Sequence, residues 1–457
     1  MAGNSASTTP GSIHLSVQKK RLVLFLTLIF TGSMWFYVTD IGMRERKLHP
    51  NPDEVTDTHG DLFAPWYGAR ELLVNHRDPY SMEVTREIQN EYYGKVLTGE
   101  LHEPKDQQRF AYPAHLVFLF IPFAHLSFNT VRIIFSCLLT VITLATIPAW
   151  LRLARVRASV FLLAVISAFT YTSLAVFRGL GLQQLTLFVA GLLAACAVSL
   201  VSERYILAGI LLGLASMKPQ MSVLLSAWLM FWTLSGWKER KRLFWSFLIT
   251  LAVLFSGAEY LLPGWISKFI NGAIAYRQYA AGGNLSEFYL PGLSSLILVA
   301  PVLVMIGTVS WYTRQEPCGS LGFAFAFCIV LTGSIFVVPA LSAVFNQVLL
   351  LPALLLPLRV WERMWTRDSR SRFALPLFAG AALLPWTCAI ITILVWAFLP
   401  VAALHRIWGL PLYGWFALPF ATLGLLVFML KDVLQEAKND IDSTSCRFTG
   451  LTAHCQL

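Results

Sequence analysis

Long apolar stretches separated by short polar connections fill this chain from about residue 128 onward. Most of them contain about 18 or more residues, enough for a helix to cross the hydrocarbon core of a bilayer. With a first apolar stretch at 21–39, they predict an all-α polytopic membrane protein with about twelve transmembrane helices in one bundle. The later predicted spans are approximately 130–151, 158–177, 183–201, 205–217, 220–236, 243–261, 290–312, 321–341, 343–358, 374–399 and 411–430.

A long polar loop, residues 40–111, follows the first predicted span. Two segments inside it, 62–74 and 82–93, carry apolar residues at helical spacing with polar residues between them. Such a pattern is typical of helices that lie along the membrane interface. We therefore expect two interfacial helices in this first outer loop.

The segment 112–127 decides the orientation of everything after it. Its apolar run of about 14 residues is short for a span. If it enters and leaves on the same side, the basic clusters at 152–157, 238–242 and 359–372 share one side with Lys19–Arg21. The positive-inside rule then predicts a re-entrant segment, both termini in the cytoplasm and the long loop outside. The membrane is expected to be a bacterial inner membrane.

The ends of the chain differ from its middle. Residues 1–18 are rich in Ser, Thr and Gly, and we expect a disordered cytoplasmic segment there. The first apolar stretch lacks a small-residue cleavage site, so it is expected to remain as a helix and not to be removed as a signal peptide. The transmembrane domain is predicted to occupy 19–430, and a cytoplasmic tail 431–457.

Composition supports the membrane class. Of the 457 residues, 56% are hydrophobic and only 13% are charged, against roughly 25% in ordinary soluble domains. The net charge of +10 does not indicate nucleic-acid binding, because the basic residues lie in short clusters between apolar stretches. None of the seven cysteines lies at metal-binding spacing, and they indicate no disulfide framework.

Asp61 is the most distinctive residue of the first outer loop, where it precedes the sequence LFAPWYGARELLVN. A carboxylate just outside the membrane is a candidate general base. The structural alternative is a helix N-cap, in which its side chain would accept hydrogen bonds from the first backbone N–H groups of a helix beginning at Leu62.

Several other polar residues fall at predicted outer helix ends, where charges usually mark a pocket or a path. Lys218 could bind a phosphate, or its side chain could simply reach the lipid headgroups. Arg178 could help to bind an anion beside Gly179–Gly181, or could be an ordinary loop arginine. Gln183 and Gln184 could bind a sugar or face neighbouring helices. The remaining members are Arg277 in the predicted outer loop 262–289 and the pair Asn346 and Gln347.

The order of these pieces resembles glycosyltransferase family 87, membrane enzymes of the GT-C class that include mannosyltransferases of phosphatidylinositol mannoside synthesis. The resemblance is carried by Asp61–Tyr80, by Phe110–Pro122 with Tyr112 and Pro113, by Gly181–Gln183, by Ala208–Pro219 with Lys218, and by Pro339–Ser342. The family often has a pair of histidines after the segment that corresponds to Pro339–Ser342. This sequence has Asn346 and Gln347 there.

The resemblance implies a GT-C fold, an external active site and Asp61 as general base. It also implies transfer of a hexose or pentose, with mannose expected first, from a polyprenyl-phosphate donor to a lipid or glycan acceptor with inversion. No metal or other cofactor is expected. The candidate substrate-binding residues are Lys218, Arg178, Arg277, Gln183, Asn346, Gln347 and Tyr112. The alternative is a transporter or flippase for a lipid-linked or small polar substrate, although the charges collect at outer helix ends and no internal repeat is clear.

Overall fold

The computed structural model describes residues 16–48, 59–98, 100, 103–104, 106–279, 284–367, 369–399 and 401–452. In these ranges the regular secondary structure is helical, which confirms the all-α class. Most of the segment predicted to be disordered, 1–18, lies outside the described residues, but Val17 already begins the first helix.

The first outer loop contains the two helices that its sequence pattern predicts, the second with the predicted bounds. A π-helical turn, Tyr37–Gly42, joins the first helix directly to the second. The first five α-helices are α1 (Val17–Phe36), α2 (Met43–Leu48), α3 (Phe63–Asn75), α4 (Met82–Tyr93) and α5 (Val117–Phe120).

The remaining helices follow the predicted spans closely, and the predicted outer loop 262–289 contains two helices of its own. They are α6 (Phe128–Leu153), α7 (Val160–Thr172), α8 (Leu174–Gly181), α9 (Leu185–Val201), α10 (Tyr205–Leu214), α11 (Pro219–Ser235), α12 (Trp237–Leu261), α13 (Trp265–Tyr279), α14 (Leu285–Tyr289), α15 (Leu296–Tyr312), α16 (Leu321–Val337), α17 (Leu351–Leu355), α18 (Pro357–Arg367), α19 (Ser369–Phe398), α20 (Val401–Ile407) and α21 (Leu410–Thr452).

Six helices in the described residues are long and apolar enough to cross a membrane, and up to eight if each of two bent pairs counts as one span. The bent pairs are α7 with α8, at 60°, and the stretch from Val344 to Leu355 with α18, at 49°. The prediction of twelve spans remains a prediction, because apolar helices such as α9, α10 and α16 have 17 residues or fewer and do not count among these six to eight.

Serine residues fix several helix starts. The hydroxyls of Ser127, Ser159, Ser173 and Ser320 each accept a hydrogen bond from the backbone N–H three residues later. Ser173 also interrupts a predicted span, because its extended backbone ends α7 and caps α8. The predicted span 158–177 is therefore bent at Ser173, and the predicted glycine turn is the end of α8.

At the centre of the bundle lies α16, which is buried along its length from Leu321 to Phe336. Gly209 and Gly213 belong to α10 and permit its close contact with α12. A Cβ atom added at Gly209 would lie 2.0 Å from Ser246 Oγ and 2.6 Å from the Leu243 carbonyl oxygen. This is the small-xxx-small spacing that lets two membrane helices approach closely.

The basic clusters meet at one end of the bundle. Arg240 donates to the Trp232 and Arg314 carbonyl oxygens at 2.8 and 2.9 Å, and Arg359 donates to the Gly319 carbonyl oxygen at 3.3 Å. Arginine side chains from different connections thus converge on the α15–α16 connection, as the positive-inside analysis expects for a single face.

The short segment Ala114–Phe123 consists of two 3-10 turns around α5. Ten residues at about 1.5 Å each extend only about 15 Å, half of a hydrocarbon core. Trp66 of α3 donates its indole N–H to the Phe123 carbonyl oxygen at 3.3 Å, so this segment packs under the first outer loop. Its length supports the non-crossing topology.

Candidate active site

Asp61 lies at the bundle end opposite the basic clusters, held by its backbone. Gly60 adopts φ +63°, a conformation that glycine tolerates well, and the Asp61 N–H donates to the Leu182 carbonyl oxygen at 2.9 Å. A Cβ atom at Gly60 would lie 2.7 Å from Gln183 Oε1, so the loop also needs glycine for space. The connection between α8 and α9 therefore positions Asp61.

The N-cap alternative for Asp61 stays a prediction. The helix after it begins at Phe63, and Leu62, its N-cap residue, makes no side-chain cap. One oxygen of the Asp61 carboxylate, Oδ2, accepts a hydrogen bond from the side-chain nitrogen of Gln184. This leaves the carboxylate in a polar cluster at the start of α9.

Two hydrogen-bond chains start from Lys218, which lies in the connection between α10 and α11 and is 5% exposed. One chain runs from its Nζ to Gln184 Oε1 at 3.1 Å, and through the Gln184 amide to Asp61. The other runs from Nζ to Thr186 Oγ1 at 2.6 Å and from that hydroxyl to Asn346 Oδ1 at 3.1 Å. A cation, a carboxylate and three polar side chains thus form one connected group.

Burial lowers the pKa of Lys218 to about 8, although the nearby negative charge of Asp61 opposes the shift. The phenyl ring of Phe345 lies 5.3 Å from Nζ and offers a cation–π contact. The Lys218 ammonium is therefore held in a weakly solvated place, where its interaction with an arriving anion is strengthened.

Tyr112 belongs to the same region. Burial, followed by the charges of Asp61 and Asp106, raises the pKa of its phenol above the ordinary range. Its carbonyl oxygen accepts a hydrogen bond from the Tyr80 hydroxyl at 2.6 Å. The structure thus places Tyr112, a predicted site residue, within electrostatic range of Asp61.

Gln183 and Gln184 have different roles. Gln183 adopts φ +49°, and its side-chain nitrogen donates to the Leu180 and Gly181 carbonyl oxygens at 3.0 and 2.9 Å. Its amide thus stabilises its own turn, whereas the Gln184 amide contacts Asp61 and Lys218. The sequence contained the adjacent amides, but it could not show which one faces the carboxylate.

Asn346 and Gln347 lie in the 3-10 helix Val344–Leu350 and are buried. Asn346 joins the chain from Lys218 and donates to the Ala340 carbonyl oxygen at 3.2 Å. Both amide atoms of Gln347 are buried without a hydrogen-bond partner in the described part of the chain. Buried amides are normally paired, so Gln347 is a candidate to bind a substrate hydroxyl.

The two arginine candidates belong to other helices, α8 and α13. Arg178 is within α8 and lines a cavity of about 170 Å³ together with Tyr37, Leu182 and Trp408. The predicted glycine turn after Arg178 is the end of that helix. Arg277 belongs to α13, and its side chain lies outside the described residues.

The RDPY segment, Arg77–Tyr80, has a structural role. Arg77 donates to Glu71 of α3 at 2.9 Å and to Glu87 of α4 at 2.7 Å, so it holds the two loop helices together. Asp78 accepts the Tyr80 backbone N–H at 2.9 Å, as expected for a turn residue before proline, and also pairs with Lys268 of α13 at 2.8 Å. These contacts dock α13 onto the first outer loop.

Among the described residues, no group of three or more His, Cys, Asp or Glu side chains could hold a metal ion. His115 places Nε2 at 3.2 Å from Ser216 Oγ, and its ring stacks on Phe255. The expected independence from metals and other cofactors stays a prediction.

An all-helical bundle with several membrane-spanning helices, in which a buried lysine and a carboxylate cluster at one end, defines a class of polytopic membrane proteins with a polar site. The comparison with known families then identifies the group: residues 110–339, half of the chain, match the Glycosyltransferase family 87 model, and the chain belongs to that family. It is a membrane glycosyltransferase, which confirms the prediction of an enzyme over that of a transporter. No curated protein matches the chain.

Proposed function

We propose that this enzyme transfers a sugar, mannose in the first instance, from a polyprenyl-phosphate donor to a lipid or glycan acceptor on the extracytoplasmic face. The observation that carries the proposal is the chain Lys218–Gln184–Asp61, which sets a phosphate-binding cation beside a carboxylate at one end of the bundle. A lipid-linked donor fits such a place, because its sugar-phosphate bond can lie at headgroup level while its prenyl chain stays in hydrocarbon.

In this mechanism Asp61 is the general base. The acceptor hydroxyl gives its proton to the carboxylate while its oxygen attacks the anomeric carbon. The bond from that carbon to the phosphate oxygen breaks, its electron pair stays on the phosphate, and the configuration inverts in a single displacement.

Lys218 stabilises the leaving phosphate as its negative charge grows. The first turns of α9 and α11 support this assignment, because Gln184 and Lys218 are the N-cap residues of these two helices. Backbone N–H groups at a helix N-terminus favour anions. Arg178 and Arg277 are further candidates to contact the donor phosphate, and Tyr112, Gln183, Asn346 and Gln347 are candidates to contact the sugar or the acceptor.

We also propose twelve spans, a re-entrant segment 112–127, and cytoplasmic termini in a bacterial inner membrane. Convergence of the arginine clusters at the bundle end opposite Asp61 supports this orientation through the positive-inside rule. The site then lies where an extracytoplasmic lipid-linked donor is available.

The function is tested with purified protein, radiolabelled mannosyl-phosphoryl-polyprenol and a membrane lipid extract as acceptor. Asp61→Asn should lower transfer by about 1,000-fold or more, because a neutral amide cannot take the proton. Its melting temperature in detergent should stay near that of the wild type. Transfer at the wild-type rate would remove Asp61 as the base, and a wild-type protein that uses only nucleotide sugars would remove the lipid-linked donor.

A further inference from the structure

The Gln184 side chain stands between the two charged groups of the site. Its nitrogen donates to Asp61 Oδ2, and its oxygen accepts from Lys218 Nζ at 3.1 Å. The residue is buried, 3% exposed, and its backbone N–H donates to the Gly179 carbonyl oxygen at 2.7 Å. One rigidly held amide therefore contacts both groups at once.

The amide can take only one orientation in this place. A lysine ammonium only donates hydrogen bonds, and an ionised carboxylate only accepts them. The Gln184 oxygen must therefore face Lys218 and its nitrogen must face Asp61. In the flipped amide the Gln184 nitrogen would face the Lys218 ammonium, donor against donor, and its oxygen would face the Asp61 carboxylate, acceptor against acceptor.

We propose that Gln184 is a positioning residue of the sugar transfer, a neutral spacer that fixes the Asp61 carboxylate and the Lys218 ammonium at separate places. The inference rests on the proposed function, in which Asp61 is the base and Lys218 meets the donor phosphate. Direct contact between the two would make a buried ion pair, which weakens the carboxylate as a base and neutralises the cation that the phosphate needs.

The backbone supports a positioning role. Asp61 is anchored to Leu182 in the connection between α8 and α9, and Gln184, the last residue of that connection, is anchored to Gly179 near the end of α8. Because Gln184 is also the N-cap residue of α9 but makes no side-chain cap, its amide serves the two charged groups and not the helix end. The connection thus sets the spacing of base and cation without using either charge.

The test measures Asp61 directly. A hydrophobic carbodiimide modifies protonated carboxyl groups, and peptide mass spectrometry gives the fraction of Asp61 modified at each pH. Lys218 and Tyr112 are titratable groups that interact electrostatically with Asp61, and both stay unchanged in the variants. The midpoint of the modification curve therefore reports the effect of the residue at position 184.

Gln184→Glu keeps the shape of the side chain but sets a second carboxylate beside Asp61. Like charge favours the protonated form, so the midpoint should rise by about one pH unit or more. Gln315→Glu, the same change at an exposed residue among the basic clusters, should leave it unchanged. An unchanged midpoint in Gln184→Glu would overturn the inference.

Transfer provides the second measurement. Gln184→Leu should lower kcat for mannosyl transfer at least ten-fold, and a wild-type kcat in a folded Gln184→Leu protein would overturn the positioning role. If Gln184→Leu does not fold, Gln184→Glu decides by its midpoint and its kcat, which should fall likewise. Wild-type transfer by Asp61→Asn would instead reject the proposed base, whatever the midpoints, so the two failures are distinguishable.

Discussion

Lys218 donates a hydrogen bond to the side-chain oxygen of Gln184 at 3.1 Å, and this contact joins the start of α11 to the start of α9. A buried cation is thereby held one amide away from Asp61. Because burial lowers the pKa of Lys218 to about 8, its charge changes within the pH range in which the enzyme can be assayed.

The pH dependence of transfer should show this change. Lys218 is protonated below its pKa and neutral above it, so kcat/KM should fall as pH rises through about 8. Arginine stays charged to much higher pH, so any transfer that Lys218→Arg retains should lose this alkaline fall. Lys218→Met should transfer poorly at every pH. An unchanged alkaline limb in Lys218→Arg would show that another group causes it.

Thr186 carries the second chain from Lys218 and is fully buried. Thr186→Val keeps the shape of the side chain but removes the acceptor of Lys218 and the donor to Asn346. We expect a loss of about 1–3 kcal/mol in the free energy of unfolding, because buried partners lose their hydrogen bonds. Thermal melting in detergent measures the loss.

The matched control for Thr186 is Thr332 of α16. It is equally buried, but its hydroxyl has no hydrogen-bond partner within the described residues. Thr332→Val should therefore leave the melting temperature unchanged or raise it. Equal losses in the two variants would show that the valine side chain, and not the missing hydrogen bonds, causes the effect.

Sequence patterns predicted the helices well, because apolar stretches bounded by serine caps and glycine leave few alternatives. The second loop helix, Met82–Tyr93, has the predicted bounds, and Ser81 caps it as its position suggests. The bend at Ser173 was missed, because a serine within an apolar run can equally bond to the preceding turn of a continuous helix.

The site was predicted only in part. Asp61, Lys218 and Asn346 meet in one cluster, and of the two adjacent amides that of Gln184 bonds to Asp61, whereas the amide nitrogen of Gln183 bonds within its own turn. The difference comes from backbone conformation, since the φ of +49° at Gln183 turns its amide back onto its own turn. A sequence shows two adjacent amides, whereas the dihedral angle that separates their directions depends on how α8 meets α9.

Gly209 tests whether the Ala208–Pro219 segment, which contributes to the family resemblance, has a packing role. Gly209→Ala would place a Cβ atom 2.6 Å from the Leu243 carbonyl oxygen, so α10 and α12 must separate. Overpacking of this kind costs about 1–3 kcal/mol, and the melting temperature should fall. Gly307→Ala in α15, where no atom lies within 4 Å of the added Cβ, should change stability by less than about 1 kcal/mol. Similar melting temperatures for the two variants would contradict the close contact.

Orientation in the membrane can be measured by adding one cysteine at each end of the bundle. Glu91 of α4 is exposed on the first outer loop, and Lys241 of α12 is exposed among the basic clusters. In intact spheroplasts a membrane-impermeant maleimide should label Glu91→Cys but label Lys241→Cys only after lysis, because the positive-inside rule places the basic end in the cytoplasm. Peptide mass spectrometry separates these sites from the natural cysteines. Labelling of Lys241→Cys in intact cells, with protection of Glu91→Cys, would put Asp61 on the cytoplasmic face, and an extracytoplasmic lipid-linked donor could then no longer reach it.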